Sequence, residues 1–120
     1  KICIVDDSIV RGTTMITRVK KLRELGAKEV HIRISCPPVK YPCHYGIDFS
    51  SRGELIAAQC TLPEIVSRLD VDSLHYLSID GLLRSVMHSD SYCLACFTGE
   101  YPVPCEECDK YRLEGPCGSR

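Results

Sequence analysis

A short apolar run at residues 2–5 constrains the fold more than any other segment of the chain. An unbroken β-branched and thiol run of this length is typical of a strand buried on both faces of a parallel sheet. Apolar residues then recur with helical spacing over residues 13–25, Gly26 marks the helix end, and residues 30–34 alternate as a second strand. Strand, helix and strand form a βαβ unit, in which the two strands are parallel. The sequence therefore predicts an α/β fold with a Rossmann-like parallel sheet.

The rest of the chain predicts further helices and one more strand. A proline-rich connection at residues 36–48 cannot form regular helix. Thr61 and Glu64 form a capping box, and Ser78 is a candidate helix cap. We predict helices at residues 51–58, 61–69 and 79–87, and a strand at residues 73–77. Periodicity stops after Ser89, which divides the chain into residues 1–90 and a cysteine-rich segment at 91–120.

Composition limits the classes of partner. The chain has 120 residues, which suits one modest domain, and a net charge of −1. It therefore has no global charge that would attract nucleic acid or an anionic membrane, and no apolar stretch approaches the ~20 residues that cross a bilayer. Because Lys1 opens the chain inside a predicted strand, without an initiating Met, we expect a fragment of a longer protein.

Two adjacent carboxylates, Asp6 and Asp7, follow the first strand. Ligands of parallel α/β sheets bind beyond the carboxyl ends of the strands, and the N-terminus of the next helix favours a phosphate. Gly12 allows close approach of the backbone, while the carboxylates suit ribose hydroxyls or hydrated Mg²⁺. Hydroxyl donors are supplied by Ser8, Thr13 and Thr14. The loop therefore predicts a site for a phosphorylated sugar.

Two other interpretations of the acids fit less well. A helix cap needs only one acidic residue, whereas this loop has two. A response-regulator receiver domain needs a third aspartate after a buried strand, and the nearest candidate, Asp48, follows the proline-rich connection instead.

The loop VDDSIVRGTT, at residues 5–14, resembles the phosphoribosyl-pyrophosphate (PRPP) loop of type I phosphoribosyltransferases. Over all ten residues it is similar to the loop of one family within that class, the amidophosphoribosyltransferases. Further segments resemble the same family in the same order, at residues 35–38, 42–48, 77–82 and 93–102. The resemblance covers residues 1–102 and corresponds to the C-terminal part of the family's chain. The glutaminase domain, its N-terminal cysteine nucleophile and the earlier part of the transferase domain lie outside it.

The resemblance implies an activity and a set of binding residues. The intact enzyme would displace diphosphate from PRPP with ammonia derived from glutamine, giving phosphoribosylamine in the first committed step of purine synthesis. Asp6 and Asp7 would hold the ribose hydroxyls and Mg²⁺, and Arg11 would contact either phosphate or solvent. The substrate-binding residues would be Asp6, Asp7, Ser8, Ile9, Val10, Arg11, Gly12, Thr13 and Thr14. We expect a cytoplasmic homo-oligomer, and an inactive fragment, since the fragment contains no catalytic nucleophile.

Nine cysteines, an odd number, and two C-x-x-C pairs favour metal binding over disulfides. By resemblance, Cys43, Cys93 and Cys96 are three ligands of a [4Fe–4S] cluster whose fourth ligand lies upstream of this chain. An alternative is one Zn²⁺ bound by Cys93, Cys96, Cys105 and Cys108, in a zinc-stabilised phosphosugar-binding module without transferase activity.

Three further cysteines lie in or beside apolar segments. Burial statistics for the free thiol predict that each is a small core residue. These residues are Cys3, Cys36 and Cys60.

Overall fold

The computed structural model of the chain describes residues 1–47 and 51–103. Its strands are β1 (Ile2–Asp6), β2 (Val30–Ile34) and β3 (Ser73–Tyr76). Its helices are α1 (Thr13–Glu24), α2 (Ile56–Gln59), α3 (Leu62–Leu69), α4 (Ile79–Arg84) and α5 (Ala95–Thr98), with 3-10 turns at Arg52–Glu54 and Ser89–Ser91. Asp48 of the receiver hypothesis, and Cys105 and Cys108 of the zinc hypothesis, lie outside the described residues.

The three strands form one parallel sheet in the order β1-β2-β3. Ile2 pairs with Val30 and Asp6 with Ile34. Because all three strands are parallel, their carboxyl ends lie at the same edge of the sheet. The predicted α/β fold with a parallel sheet is confirmed.

One face of the sheet carries the core. The side chains of Val30, Ile32 and Ile34 are buried against α1 and α3, with Leu74 beside them on β3. The core is completed on the two helices by Met15, Val19, Ile65 and Leu69. At ~25 cal/mol per Å² of apolar area removed from water, this contact is the main stabilising term in the described part of the chain.

The opposite face of the sheet is uncovered, so the prediction that β1 is buried on both faces is wrong for the described chain. Val5 is 73% exposed, and Cys3 on the same face is also exposed, which corrects its prediction as a core residue. The reason is that α1 and α3 both pack on the other face. Cys36 and Cys60 are half-buried against the core, as predicted.

Local signals set several helix ends as predicted. The Thr61 amide donates to Glu64 Oε2 at 2.6 Å in the capping box of α3. Ser78 Oγ accepts from the Gly81 amide at 3.0 Å and caps α4. Gly26 has a φ of +93° just beyond α1, a left-handed conformation that closes the helix.

Two predicted helices differ from the structure. The helix predicted at residues 51–58 is broken by Leu55, whose extended backbone (ψ 111°) separates the turn at Arg52–Glu54 from α2. Leu55 is fully buried, so packing of its side chain overrides continuous helix. Helix α4 ends at Arg84, and Met87, at the end of the predicted helix, is 78% exposed. Helix α5 lies in the cysteine-rich segment, where periodicity predicted none.

Asp72 connects α1, β2 and β3 through hydrogen bonds at the amino ends of the two strands. Its Oδ2 accepts from the Val30 amide at 2.7 Å and from Arg23 Nη2 at 2.9 Å. Arg23 lies at the end of α1, Val30 opens β2, and Asp72 immediately precedes β3. The Val30 amide, followed by Arg23, holds the pKa of Asp72 below its ordinary value of 3.8.

We expect Asp72→Asn to lower the melting temperature of the full-length protein at pH 7, because the charge that binds Arg23 and the Val30 amide is lost. Since the folded pKa is depressed, the contribution of Asp72 is present above pH 3.8 and is lost as pH falls through the folded pKa. The difference in melting temperature between the native protein and the variant should therefore shrink on acidification. The exposed Glu24→Gln is the control and should melt like the native protein throughout.

Candidate functional site

A cavity of about 300 Å³ lies at the carboxyl end of β1. Its lining contains all nine predicted substrate-binding residues, 6–14, together with Met15 and Arg18 of α1. The loop is anchored from below by Ile9, which is buried in the core. The structure therefore brings the nine predicted binding residues together around one space.

The two acids of the loop have different surroundings. Asp6 Oδ2 accepts from Arg18 Nη1 at 2.6 Å, and its Oδ1 accepts from the Asp7 amide at 3.1 Å. Asp7 is exposed, and its Oδ1 accepts from the Ser8 amide at 2.7 Å. Asp6 is thus held and charge-paired, whereas Asp7 presents its carboxylate at the cavity.

Arg18 is a site residue that sequence reasoning missed, because its neighbours suggested a solvated helix face. It lies four residues after Thr14, so the two share one side of α1. This spacing could have indicated from the sequence that Arg18 lies beside the loop.

Gly12 makes the turn into α1. Its φ is +81°, and its carbonyl accepts the first helical hydrogen bond, from the Ile16 amide at 2.9 Å. A Cβ at this position would lie 2.9 Å from Ile56 Cδ1. No side chain caps α1 and its first turn contains no acidic residue, so the N–H groups there offer partial positive charge to an anion.

We expect Gly12→Ala to destabilise the full-length protein by about 1–3 kcal/mol, because a side chain is strained at this φ and crowds Ile56. The same change should weaken phosphate binding by displacing the first turn of α1. Chemical denaturation and ligand titration measure the two effects. Gly53→Ala is the matched control, since a Cβ there meets nothing within 4 Å. Equal stability and affinity in the two variants would contradict the role of Gly12.

The outer wall of the loop is formed by the segment before α2. Arg11 Nη2 lies 3.2 Å from Glu54 Oε2, and the Ile56 amide donates to the Val10 carbonyl at 2.9 Å. From the sequence, the Arg11 side chain was expected to contact either phosphate or solvent. In the structure its guanidinium is paired with a carboxylate 43 residues away.

Helix α5 docks on the proline-rich connection. The Cys96 carbonyl accepts from the Lys40 and Tyr41 amides at 3.0 and 3.1 Å. The Tyr101 hydroxyl donates to the Pro42 carbonyl at 2.7 Å, and its ring packs on His44 with centroids 4.8 Å apart. These contacts bring the connection that carries Cys43 against the segment that carries the C-x-x-C pair, so Cys43, Cys93 and Cys96 lie near one another in what we call the cysteine site.

The thiols of this region influence one another. Burial raises the pKa of Cys96, and the neighbouring Cys43 and Cys93 raise it further. Cys43 Sγ accepts a hydrogen bond from the Tyr45 amide at 3.4 Å. Burial, followed by Asp7 and Cys96, raises the pKa of Cys36 to about 11. Cys36 thus lies between the phosphate loop and the cysteine site.

Within residues 1–47 and 51–103, no three His, Cys, Asp or Glu side chains converge to hold a single metal ion. A single Zn²⁺ needs all its ligands around one point, whereas the thiolates of an iron–sulfur cluster bind different irons. Cys105 and Cys108 of the zinc alternative lie outside the described residues, so the choice between the two metals stays a prediction.

None of the helices in the described ranges is long and apolar enough to cross a membrane.

The parallel sheet, with an acidic loop between β1 and α1, matches part of a type I phosphoribosyltransferase fold. The chain superposes on glutamine phosphoribosylpyrophosphate amidotransferase from Bacillus subtilis, complexed with ADP and GMP, with a TM-score of 0.81 and 46% identity. The match covers 91% of this chain and 25% of that one.

More specifically, the chain is homologous to one part of the amidophosphoribosyltransferases. It is 56% identical over 104 residues to that of Synechocystis sp., covering 86% of this chain and 21% of the relative. It is 52% identical over 114 residues to that of Archaeoglobus fulgidus, covering 91% and 25%. No family model matches the chain. The resemblance predicted from the sequence is confirmed, and the chain spans between 21% and 25% of the length of these relatives.

Proposed function

We propose that this chain is the PRPP-binding part of an amidophosphoribosyltransferase. The full-length enzyme transfers glutamine-derived ammonia to 5-phosphoribosyl 1-diphosphate, giving 5-phosphoribosylamine in the first committed step of de novo purine synthesis. The observation that carries the proposal is the cavity lined by residues 6–14 in a chain homologous to this family.

The loop divides the work between its two ends. The first turn of α1, with the hydroxyls of Ser8, Thr13 and Thr14, binds the 5′-phosphate. Asp7 binds the ribose hydroxyls and stabilises the positive charge that builds at the anomeric carbon as its bond to diphosphate breaks. Diphosphate leaves with the electron pair, ammonia forms the new carbon–nitrogen bond, and the ammonium product loses a proton.

Mg²⁺ fits the acidic end of the loop. Carboxylate oxygens are ligands that Mg²⁺ prefers, and the Asp7 carboxylate is exposed at the cavity. The Asp6 carboxylate is paired with Arg18 and accepts a hydrogen bond from the Asp7 amide, which holds Asp7 in place. We assign Asp6 to the ribose hydroxyls. When bound, Mg²⁺ neutralises charge on the leaving diphosphate.

In the full-length enzyme, we expect Asp7→Asn to reduce Mg²⁺-dependent PRPP affinity and turnover by at least about tenfold, because it removes a charge that acts in the transition state. Asp6→Asn should have a smaller effect on Mg²⁺ dependence, since its carboxylate is paired with Arg18. Calorimetric titration and phosphoribosylamine formation measure these effects, with Glu24→Gln as control. Native affinity and turnover in both aspartate variants would exclude the loop as the PRPP site.

We further propose that Cys43, Cys93 and Cys96 bind three irons of a [4Fe–4S] cluster. Cysteine side chains are the usual ligands of this cofactor, and the hydrogen bond from the Tyr45 amide to Cys43 Sγ holds one of them in place. The fourth ligand comes from outside this chain. Cys43 on the proline-rich connection and Cys93 and Cys96 beside α5 would hold the cluster, which would then join these two segments.

We expect Cys93→Ser to lower the iron content and the visible absorption of the full-length enzyme, because a cluster ligand is lost. Cys60→Ser is the matched control, a half-buried thiol beside α3 that should leave both unchanged. Metal analysis with absorption spectroscopy decides between the two metals. A colourless protein with one zinc per chain would instead support the zinc-stabilised binding module.

We place the enzyme in a reducing compartment such as the cytoplasm, where thiolates stay available as cluster ligands. The boundary near residue 90 between the transferase part and the cysteine-rich segment stays a prediction, as does the homo-oligomer.

A further inference from the structure

The segment at residues 52–56 lies outside the phosphate-loop motif, yet it contacts the loop at three successive positions. Glu54 pairs with Arg11, the Ile56 amide donates to the Val10 carbonyl, and the Ile56 side chain lies beside Gly12. One backbone bond, one ion pair and one apolar contact therefore hold consecutive residues of the loop.

The ion pair gives Arg11 a defined orientation. Its guanidinium and the Glu54 carboxylate are 3.2 Å apart, with side chains 46% and 35% exposed. An exposed pair of this kind contributes little to folding stability, because solvent screens it. Its main effect is therefore local, on the position of the loop backbone that carries Arg11.

The segment at residues 52–56 also contacts the proline-rich connection, on the side away from the phosphate loop. The Arg52 guanidinium lies 5.3 Å from the centre of the Tyr41 ring, within the range of a cation–π contact. The Tyr41 amide donates to the Cys96 carbonyl at 3.1 Å. Glu54 is therefore carried by a turn with contacts on both sides, which suits it to fix another residue.

We propose that Glu54 is a positioning residue that acts through Arg11 to hold the phosphate loop in its binding conformation. This inference rests on the proposed PRPP site. It assigns Arg11 to the loop's own structure, with the phosphate bound by the backbone and hydroxyls that Arg11 helps to place. Glu54 touches neither substrate nor reacting atoms.

Removal of the Glu54 charge separates positioning from simple electrostatics. A carboxylate near a site for an anion repels that anion, so electrostatics alone predicts that Glu54→Gln binds PRPP more tightly. Loss of positioning predicts the opposite. In the full-length enzyme we expect the KM for PRPP to rise about three- to fivefold in Glu54→Gln, with kcat changed by less than about twofold.

Arg11→Met and the double variant test whether Glu54 acts through Arg11. If it does, Glu54→Gln has no further effect on the KM in the Arg11→Met background, so the two changes are not additive. Glu54→Asp keeps the charge and should recover part of the affinity. Glu29→Gln is the matched control. It removes an exposed ion pair, in which Glu29 Oε2 lies 2.9 Å from Lys1 Nζ, at a place outside the cavity lining. This variant should leave the KM unchanged.

The outcomes separate this inference from the proposed function. A native enzyme that neither binds PRPP nor forms phosphoribosylamine would overturn the proposed function, and with it this inference. A native enzyme with normal activity, together with a Glu54→Gln variant of equal or lower KM, would overturn the inference alone. Additive effects in the double variant would also overturn it, since Glu54 would then act independently of Arg11. Equal melting temperatures across the set would exclude general unfolding as the cause of a raised KM.

Discussion

The parallel pairing of β1 with β2 is the constraint on which both sites depend. Asp6 pairs with Ile34, and the Ser35 amide extends the ladder by donating to the Asp6 carbonyl at 3.0 Å. The loop after β1 and the proline-rich connection after β2 therefore leave the sheet side by side. This adjacency explains why Asp7 raises the pKa of Cys36, although the two residues belong to different motifs.

A continuous series of contacts joins the cysteine site to the phosphate loop. It runs from the Cys96 carbonyl through the Tyr41 amide and ring to Arg52, and then along the turn to Glu54 and Arg11. Each contact is weak alone, but each joins segments that the sequence separates widely. The cysteine site and the wall of the phosphate loop are thus joined by a series of contacts.

The charges of the cavity are arranged as pairs around one carboxylate. Arg18 pairs with Asp6 at the inner wall and Glu54 with Arg11 at the outer wall. Among the described residues, Asp7 is the acid of the loop that has no ion-pair partner. Because Arg18 neutralises Asp6, the charge repulsion between the two adjacent acids is reduced. The exposed Asp7 carboxylate can therefore bind a cation or sugar hydroxyls.

The sequence alone predicts the βαβ unit, the phosphate loop, the caps at Thr61 and Ser78, and the family, because each depends on neighbouring residues or on an ordered motif. The packing of segments in three dimensions is needed to show that one face of β1 is uncovered in the described chain, that Leu55 breaks a helix, and that Arg18 and Glu54 pair with residues of the loop. These features depend on which segments meet, as Arg11 and Glu54 do across 43 residues. Local periodicity contains no information on such contacts, since they arise from packing between elements.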